Sequence, residues 1–264
     1  MKKYPRTDKY DHNWISENWM GPHPLWLLEE LCENLDMRPG MRVLDMGCGK
    51  GLTSVFLAKE YGVTVFANDL WIGATDNLRQ FEEAGVADRV FPIHAEAHAL
   101  PYAEGFFDAA VSIDSYHYYP EMSFDAIVSI DTLYFTDDLE TIIRRIMRWL
   151  KPCGIFAAYY MKDDTRGQDE TQLAKILRTN GLTYEVSDYS EAHYRLMRRK
   201  HDTALAMRNE LERDGLVEHT KRMLQESFDE SVTIESFQDQ QCGLRYLYTV
   251  RKPENMKECG GSEK

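Results

Sequence analysis

A glycine-rich loop near the start of the chain offers the clearest chemistry. In the stretch VLDMGCGKG, residues 43–51, glycines fall at positions 47, 49 and 51, and Asp45 precedes the first of them. Glycines at a turn let a cofactor approach the backbone because they lack a Cβ. The spacing differs from the dinucleotide fingerprint GxGxxG, which places a pyrophosphate at a helix N-terminus. The chemistry of the loop therefore depends on which cofactor it holds.

The charge beside the loop narrows the choice of cofactor. Asp45 would repel a pyrophosphate at the end of its strand, whereas a cationic group would be attracted to it. S-adenosylmethionine has no phosphate and carries a sulfonium and an α-ammonium group, so it suits this loop. A nicotinamide dinucleotide, and with it a dehydrogenase, is disfavoured by both Asp45 and the glycine spacing.

Alternating strand and helix patterns predict where the loop lies in the fold. The apolar runs MRVLDMG, VTVFAND and RVFPIHA are separated by the helical segments LTSVFLAKEYG and ATDNLRQFEEAG. The alternation continues through LETIIRRIMRWL and IFAAYYM, which is typical of an α/β fold with a doubly wound parallel sheet. Because ligands bind at the carboxyl ends of such strands, the loop is expected in the ligand crevice.

Over roughly residues 20–190 the chain resembles the class I S-adenosylmethionine-dependent methyltransferases of the small-molecule type. The resemblance rests on the loop VLDMGCGKG, on Asp69 at the end of the second strand, on Glu96 after the third, and on Pro101 with FDAAVSID leading into the fourth. It implies a Rossmann-like, mostly parallel seven-stranded sheet with a C-terminal antiparallel strand. It also implies S-adenosyl-L-methionine as the cofactor and a small-molecule methyl acceptor.

The resemblance further implies which residues bind the cofactor. They are Gly21, Asp45, Gly47, Cys48, Gly49, Gly51, Asp69, Leu70, Glu96, Ala97 and Asp114. In this family the loop runs under the methionine moiety, the carboxylate matched by Asp69 takes the ribose hydroxyls, and the position of Glu96 meets the adenine amino group. Cys48 is interpreted as a small filler of the loop and not as a nucleophile.

The segment SYHYYP supplies the candidate catalytic residues Tyr116 and His117. A histidine could accept a proton from the attacking atom because its pKa lies near neutrality. Methyl transfer from a sulfonium depends mainly on holding the attacking atom in line, so a base is optional. Lining of the acceptor pocket by these aromatic side chains is therefore the favoured role.

One stretch of sequence occurs twice. FDAAVSIDSYHYY, residues 107–119, recurs as FDAIVSIDTLYFT, residues 124–136, where Asp131, Thr132 and Tyr134 replace the candidates of the first copy. Because a parallel crossover normally takes a dozen or more residues, only one copy is expected in the centre of the sheet, with a weak preference for the first. Two origins are open: recombination between two related proteins, or a natural duplication that adds a hairpin or an edge strand.

The remaining segments predict the layout of the chain. Residues 1–40 form a helical lead-in, residues 41–190 the cofactor-binding core with the repeat at 107–136, and the charged residues 191–241 a helical cap over the crevice. Residues 242–252 form the final strand and residues 253–264 a mobile, polar tail. The cap is expected to enclose the acceptor and exclude water.

Charge and cysteine content limit the partners and the compartment. The net charge of −13 disfavours nucleic acid and anionic membranes as partners. Five cysteines without a CxxC pair, together with a start that lacks the apolar core of a signal peptide, favour the reducing cytoplasm. His94 and His98 flank Glu96 at a strand end and not on one helix face, so a metal site is not expected. Oligomeric state has no signal in the sequence.

Two functions remain. The first is a methyltransferase that moves a methyl group to N, O or C of a small molecule. The second is a non-catalytic or degenerate S-adenosylmethionine-binding protein, whose acceptor pocket is disturbed by the repeated strand. Turnover to S-adenosylhomocysteine with any acceptor would separate them.

Overall fold

The computed structural model describes the chain from residue 4 to residue 254 with gaps. The described residues are 4–11, 14–15, 18, 23–96, 100, 102–103, 105–112, 122–130, 133, 138–162, 171–195, 198, 202, 205 and 244–254. All structural statements below concern these residues. Among them, no helix is both long enough and apolar enough to cross a membrane.

Eight strands form a single sheet. They are β1 (Arg42–Met46), β2 (Thr64–Asp69), β3 (Val90–His94), β4 (Ala109–Ser112), β5 (Phe124–Ser129), β6 (Leu150–Lys162), β7 (Tyr184–Asp188) and β8 (Leu244–Arg251). Their order across the sheet is β3-β2-β1-β4-β5-β6-β8-β7. Neighbouring strands from β3 to β6 are parallel, and β8 runs antiparallel to both β6 and β7. The predicted antiparallel C-terminal strand is thus confirmed.

Within the described residues, five helices with both ends defined cover the two faces of the sheet. They are α1 (Pro24–Cys32), α2 (Leu52–Tyr61), α3 (Ala74–Glu83), α4 (Leu139–Trp149) and α5 (Gln172–Thr179). The side chains of α1 and α2, with Phe81 of α3, pack on the face that carries Val43, Tyr159 and Leu247. Those of α4 and α5 pack on the opposite face with Leu44 and Tyr248. The doubly wound α/β fold expected from the sequence is confirmed.

The lead-in is anchored by a buried carboxylate. A 3₁₀ turn, Thr7–Lys9, precedes α1. Glu29 of α1 accepts the backbone N–H groups of Arg6 and Thr7 at 3.1 and 2.9 Å, and the Thr7 hydroxyl at 2.7 Å. The helix itself begins at Pro24, where the missing N–H costs nothing.

Both copies of the repeat lie in the sheet, which corrects the expectation of one central copy. The first copy is β4, the second is β5, and the two are adjacent and parallel. Ala109 pairs with Ala126 and Val111 with Val128, so the copies pair in register with themselves. The sheet consequently has eight strands and not seven, and the second copy is neither a hairpin nor an edge strand.

Both copies fit side by side in the sheet because the paired part of the first copy is short. The paired part of β4 covers four residues, Ala109–Ser112, so the chain must return only about 13 Å to start β5. The eleven residues 113–123 that connect Ser112 to Phe124 reach that distance easily, since extended chain spans up to about 3.5 Å per residue. These connecting residues lie mostly outside the described part.

The aspartate of each copy pairs with a different neighbour. The Asp108 carboxylate accepts the backbone N–H of Arg42 on β1 at 2.7 Å. Asp125 accepts a hydrogen bond from the Lys151 ammonium on β6 at 2.8 Å. Each copy is therefore tied to the strand on its outer side, and the pair bridges β1 and β6.

Candidate cofactor-binding site

The three loop glycines have backbone angles that favour glycine. Gly47, Gly49 and Gly51 have φ angles of 71°, 54° and 79°. The carbonyl of Asn68, on the neighbouring strand β2, accepts the N–H groups of Gly47 and Cys48 at 2.9 and 3.0 Å. The loop thus turns sharply out of β1 and is held against the carboxyl end of β2, as the sequence predicts.

Gly51 also lets two helices approach each other. A Cβ placed there would lie 2.4 Å from Cε1 of Phe81, a fully buried side chain of α3. The third glycine therefore serves helix packing, while nothing in its surroundings requires contact with a cofactor. Its role in cofactor binding stays a prediction.

Asp69 joins the loop to the end of β2. Its Oδ2 accepts the N–H of Gly49 at 2.8 Å, and its Oδ1 accepts the N–H groups of Trp71 and Ile72 at 2.7 and 2.8 Å. A carboxylate offers about four acceptor positions. Three are filled by the backbone, which leaves about one for a ribose hydroxyl without loss of a loop contact.

Asp45 is completely buried under the loop. Its Oδ2 accepts the hydroxyls of Thr53 and Ser54, both on α2, at 2.7 and 2.6 Å. Its Oδ1 has no hydrogen-bond partner in the described structure. Burial is the main cause that raises the pKa of this carboxyl to about 6, with the two hydroxyls opposing the rise and Asp69 adding to it. The half-satisfied carboxyl is an acceptor suited to a cationic donor.

Asn77 is a residue that the sequence reasoning missed. It lies on α3, buried, and its Nδ2 donates to the Gly49 carbonyl at 3.0 Å and to Cys48 Sγ at 3.5 Å. Its Oδ1 is a second buried acceptor without a hydrogen-bond partner in the described structure. A signal was available, since Asn77 and Phe81 are four residues apart and share the buried face of an otherwise polar helix.

Cys48 does not have the surroundings of a nucleophile. It is buried, and burial together with Asp45 and Asp69 raises its pKa well above the ordinary value. The thiolate is the reactive form, so a raised pKa opposes reactivity. Its position supports the interpretation as a filler of the loop.

The end of β3 lies beside the end of β2. His94 Nε2 is 2.8 Å from the Leu70 carbonyl, and Asn68 Nδ2 donates to the Ala95 carbonyl at 2.9 Å. Leu70 is 51 % exposed and Trp71 78 % exposed. Glu96 is also exposed. Within the described residues no three potential metal ligands cluster, and His98 lies outside those residues.

Several predicted site residues lie outside the described residues. They are Gly21, Ala97, Asp114, Tyr116 and His117, with the second-copy candidates Asp131, Thr132 and Tyr134. Most of the predicted cap, 191–241, is also outside. Its first residues belong to a described helical turn, in which the N–H of His193 donates to the Tyr189 carbonyl at 2.9 Å, and residues 198, 202 and 205 are also described as helical.

Two family models match successive parts of the chain. Both are described as a methyltransferase domain, the first over residues 43–123 and the second over residues 118–158. The first match contains β1 to β4 and the second contains β5, so they meet between the two copies of the repeat. This division agrees with the recombination interpretation.

Curated relatives carry methyltransferase names. Methyltransferase GfsG of Streptomyces halstedii is 33% identical over 138 residues, which are 50% of this chain and 41% of that protein. The 27-O-demethylrifamycin SV methyltransferase of Amycolatopsis mediterranei is 33% identical over 103 residues, 36% of this chain and 35% of the relative. The chain thus spans about two fifths of the length of these relatives.

Solved structures share the fold. A putative sarcosine dimethylglycine methyltransferase from Galdieria sulphuraria has a TM-score of 0.60 at 16% identity, covering 97% of this chain and 91% of that one. The [4+2]-cyclase SpnF has a TM-score of 0.56 at 20% identity and covers 87% and 81%. These likenesses establish the architecture, and a cyclase among them illustrates that one fold serves different reactions.

Proposed function

We propose that this chain, which belongs to the class I S-adenosylmethionine-dependent methyltransferases, moves a methyl group from that cofactor to a small-molecule acceptor. The observation that carries the proposal is the arrangement of two carboxylates at the glycine loop. Asp45 lies beneath the loop with one oxygen unpaired in the described structure, and Asp69 holds the loop from the neighbouring strand.

These residues fit the donors that S-adenosylmethionine would bring. The unpaired Oδ1 of Asp45 is suited to a positive donor such as the α-ammonium group, and the remaining acceptor position of Asp69 is suited to a ribose hydroxyl. The carboxylates of Asp45 and Asp69 would both repel a pyrophosphate, because all of these groups are negatively charged. The donor set of the site therefore favours a cofactor without phosphates.

The bound cofactor supplies an electrophilic methyl group on its sulfonium. The contribution of the chain is to hold the acceptor in line with that methyl and to keep water out. We assign the enclosure to the segment 191–241, because the two residues that precede it, Tyr189 and Ser190, donate hydrogen bonds to the Arg245 carbonyl at the crevice end of β8. Tyr116 and His117 stay candidates for the wall of the acceptor pocket.

The acceptor class is inferred from the names of the relatives. These include a sterol 24-C-methyltransferase, a phosphoethanolamine N-methyltransferase and an O-methyltransferase. Methylation at C, N and O is therefore represented among them. We propose a small-molecule acceptor for this chain and do not assign the acceptor atom.

Charge and thiols support the proposed setting. The net charge of −13 opposes nucleic acid and anionic lipid as partners. Among the described cysteines, Cys32, Cys48 and Cys153 are free thiols. We therefore place the protein in the reducing cytoplasm.

A second candidate function is a cofactor-binding protein without turnover. The inserted strand favours it, because β5 separates the cofactor half of the sheet from β6, β7 and β8. Calorimetry with S-adenosylhomocysteine tests cofactor binding, and formation of S-adenosylhomocysteine with a panel of amines, alcohols and enols tests transfer. Binding with turnover supports the enzyme, binding without turnover supports the second candidate, and no binding contradicts both.

A further inference from the structure

A buried arginine lies at the crevice edge of the sheet, far from the glycine loop. Arg245 on β8 pairs with Met161 near the end of β6. Because β6 is parallel to β1 and β2, Met161 and Arg245 lie at the same edge as the glycine loop and Asp69. Arg245 is therefore placed where the crevice opens.

Arg245 faces the same side of the sheet as Asp45. Side chains two residues apart in a strand share a face, so Arg245 shares the face of Leu247 and Asp45 that of Val43. Leu247 and Val43 belong to one apolar cluster. Between β1 and β8 lie four strand spacings, or about 19 Å at about 4.8 Å each. The carboxylate of Asp45 and the guanidinium of Arg245 thus lie at opposite ends of the same face of the crevice.

The backbone of Arg245 is fixed by hydrogen bonds, whereas two of the three guanidinium nitrogens have no partner in the described structure. Its N–H donates to Ser190 Oγ at 2.9 Å, and its carbonyl accepts the N–H of Tyr189 at 2.7 Å. The side chain is only 7% exposed, yet Nε and Nη1 have no hydrogen-bond partner in the described structure. No ion pair of Arg245 occurs among the described residues. A buried guanidinium with two nitrogens lacking partners lowers the stability of the fold, and a ligand that accepts hydrogen bonds from these nitrogens would offset the loss.

We propose that Arg245 recognises an anionic group, carboxylate or phosphate, on the methyl acceptor. The guanidinium presents planar N–H donors that match the paired oxygens of either group. A chain of net charge −13 repels such acceptors in general, so a local buried cation is needed to hold one. This inference rests on the proposed function, since it names the acceptor class of that site.

The test compares Arg245→Met with a matched control on the same strand. Arg251→Met removes an exposed arginine at the opposite edge, whose Nη1 donates to the Cys153 carbonyl. The melting temperature of the full chain is measured in sodium chloride, in inorganic phosphate and in acetate at equal ionic strength. Phosphate and acetate are separate arms, so the stronger response identifies the preferred group.

In chloride, Arg245→Met is expected to melt about 2–4 °C above the wild type because an unpaired charge is removed. The preferred anion should raise the wild-type and Arg251→Met melting temperatures by a similar amount and leave Arg245→Met unchanged. Arg245→Lys should keep a reduced response, since the charge remains without the planar fork.

Three results would overturn the inference. They are no anion response of the wild type, an equal response of Arg245→Met, and a lower melting temperature or failure to fold of Arg245→Met in chloride. Calorimetry with S-adenosylhomocysteine on the same wild-type protein measures cofactor binding. It distinguishes failure of the inference about Arg245 from failure of the proposed function. Retained cofactor binding with no anion response rejects only the role of Arg245, whereas lost cofactor binding rejects the proposed function itself.

Discussion

The two halves of the sheet treat their buried polar groups differently. In the cofactor half, formed by β1 to β4 with α2 and α3, each key carboxylate is held by several donors, as Asp69 is by three backbone N–H groups. In the far half, formed by β5 to β8 with α4 and α5, Nε and Nη1 of the buried Arg245 have no hydrogen-bond partner in the described structure. The comparison teaches that the carboxylates of the cofactor half are held mainly by the chain itself, with Oδ1 of Asp45 left for a ligand, whereas we propose that the guanidinium of the far half depends on a ligand for its partners.

The largest effect is expected from Gly51→Ala, which tests the rigidity of the cofactor half. The new Cβ would meet the Phe81 ring at 2.4 Å, and the φ of +79° is unfavourable for alanine. Overpacking and backbone strain together should lower the free energy of unfolding by about 2–4 kcal/mol. Urea unfolding measures it. Gly85→Ala is the control, since its φ is +69° with nothing within 4 Å of the new Cβ, and it should lose only about 1 kcal/mol. Equal losses for both variants would remove the packing role of Gly51.

Asp69→Ala tests whether the cofactor half also binds the cofactor. Loss of a charged acceptor typically costs about 1.5–3 kcal/mol, so affinity for S-adenosylhomocysteine should fall roughly 10- to 150-fold. Calorimetry measures the affinity, and the melting temperature reports the loss of loop anchoring separately. Asp76→Ala, which removes an exposed carboxylate of α3, should leave affinity unchanged. Wild-type affinity in Asp69→Ala would exclude Asp69 from the site.

Asp45 should make cofactor binding depend on pH. Its folded pKa of about 6 lies above its unfolded value, so the buried carboxyl takes up a proton as the pH falls through 6. An ammonium group binds the ionised form, and affinity for S-adenosylhomocysteine should therefore fall by up to about tenfold per pH unit below pH 6. The same shift predicts that the unliganded protein loses stability as the pH rises from about 4 to about 6. Calorimetry measures the affinity of the wild type and of Asp45→Asn for S-adenosylhomocysteine between pH 5 and pH 8. If the affinity of Asp45→Asn changed with pH as steeply as that of the wild type, the role of Asp45 would be refuted.

The smallest effect on stability is expected from deletion of residues 107–123, which removes the first copy of the repeat. The second copy carries nearly the same residues in the same register, so β5 can pair with β1 directly. We expect the melting temperature to stay within about 4 °C of the wild type, equivalent to about 1 kcal/mol. Ala110→Ile in the full chain is the control, because Ile127 replaces Ala110 beside Leu44 after the deletion. A collapse of stability in the deletion alone would show that the two copies are not interchangeable.

The sequence predicts the cofactor half more completely than the far half. The loop glycines and Asp69 stand directly after segments that the sequence predicts as strands. The helical spacing of apolar residues, followed by a glycine that ends the helix, predicts the positions of α2 and α3. Asn77 was missed because its spacing from Phe81 indicates burial on α3 but not a contact with the glycine loop. Arg245 could not be identified either, since one arginine in LRYLYTV looks like any strand residue until its burial is known.

The repeat shows a different limit of sequence reasoning. The duplication of FDA and VSID was evident, but the placement of both copies depended on how many residues of each would pair. The pairing covers only Ala109–Ser112 in β4, and no local pattern predicts where pairing stops. The prediction from connection length therefore excluded two adjacent, parallel copies, an arrangement that becomes possible when the paired strands are short.

The second copy also changes the angle between the two walls of the crevice. Neighbouring strands in a sheet are rotated by roughly 20–25° relative to each other, always in the same sense. From β1 to β6 the sheet takes three such steps through β4 and β5, where one copy would give two. The far half is consequently turned by roughly one further step of 20–25° against the glycine loop. The duplicated strand thus sets the angle at which β6 and β8 face the glycine loop across the crevice.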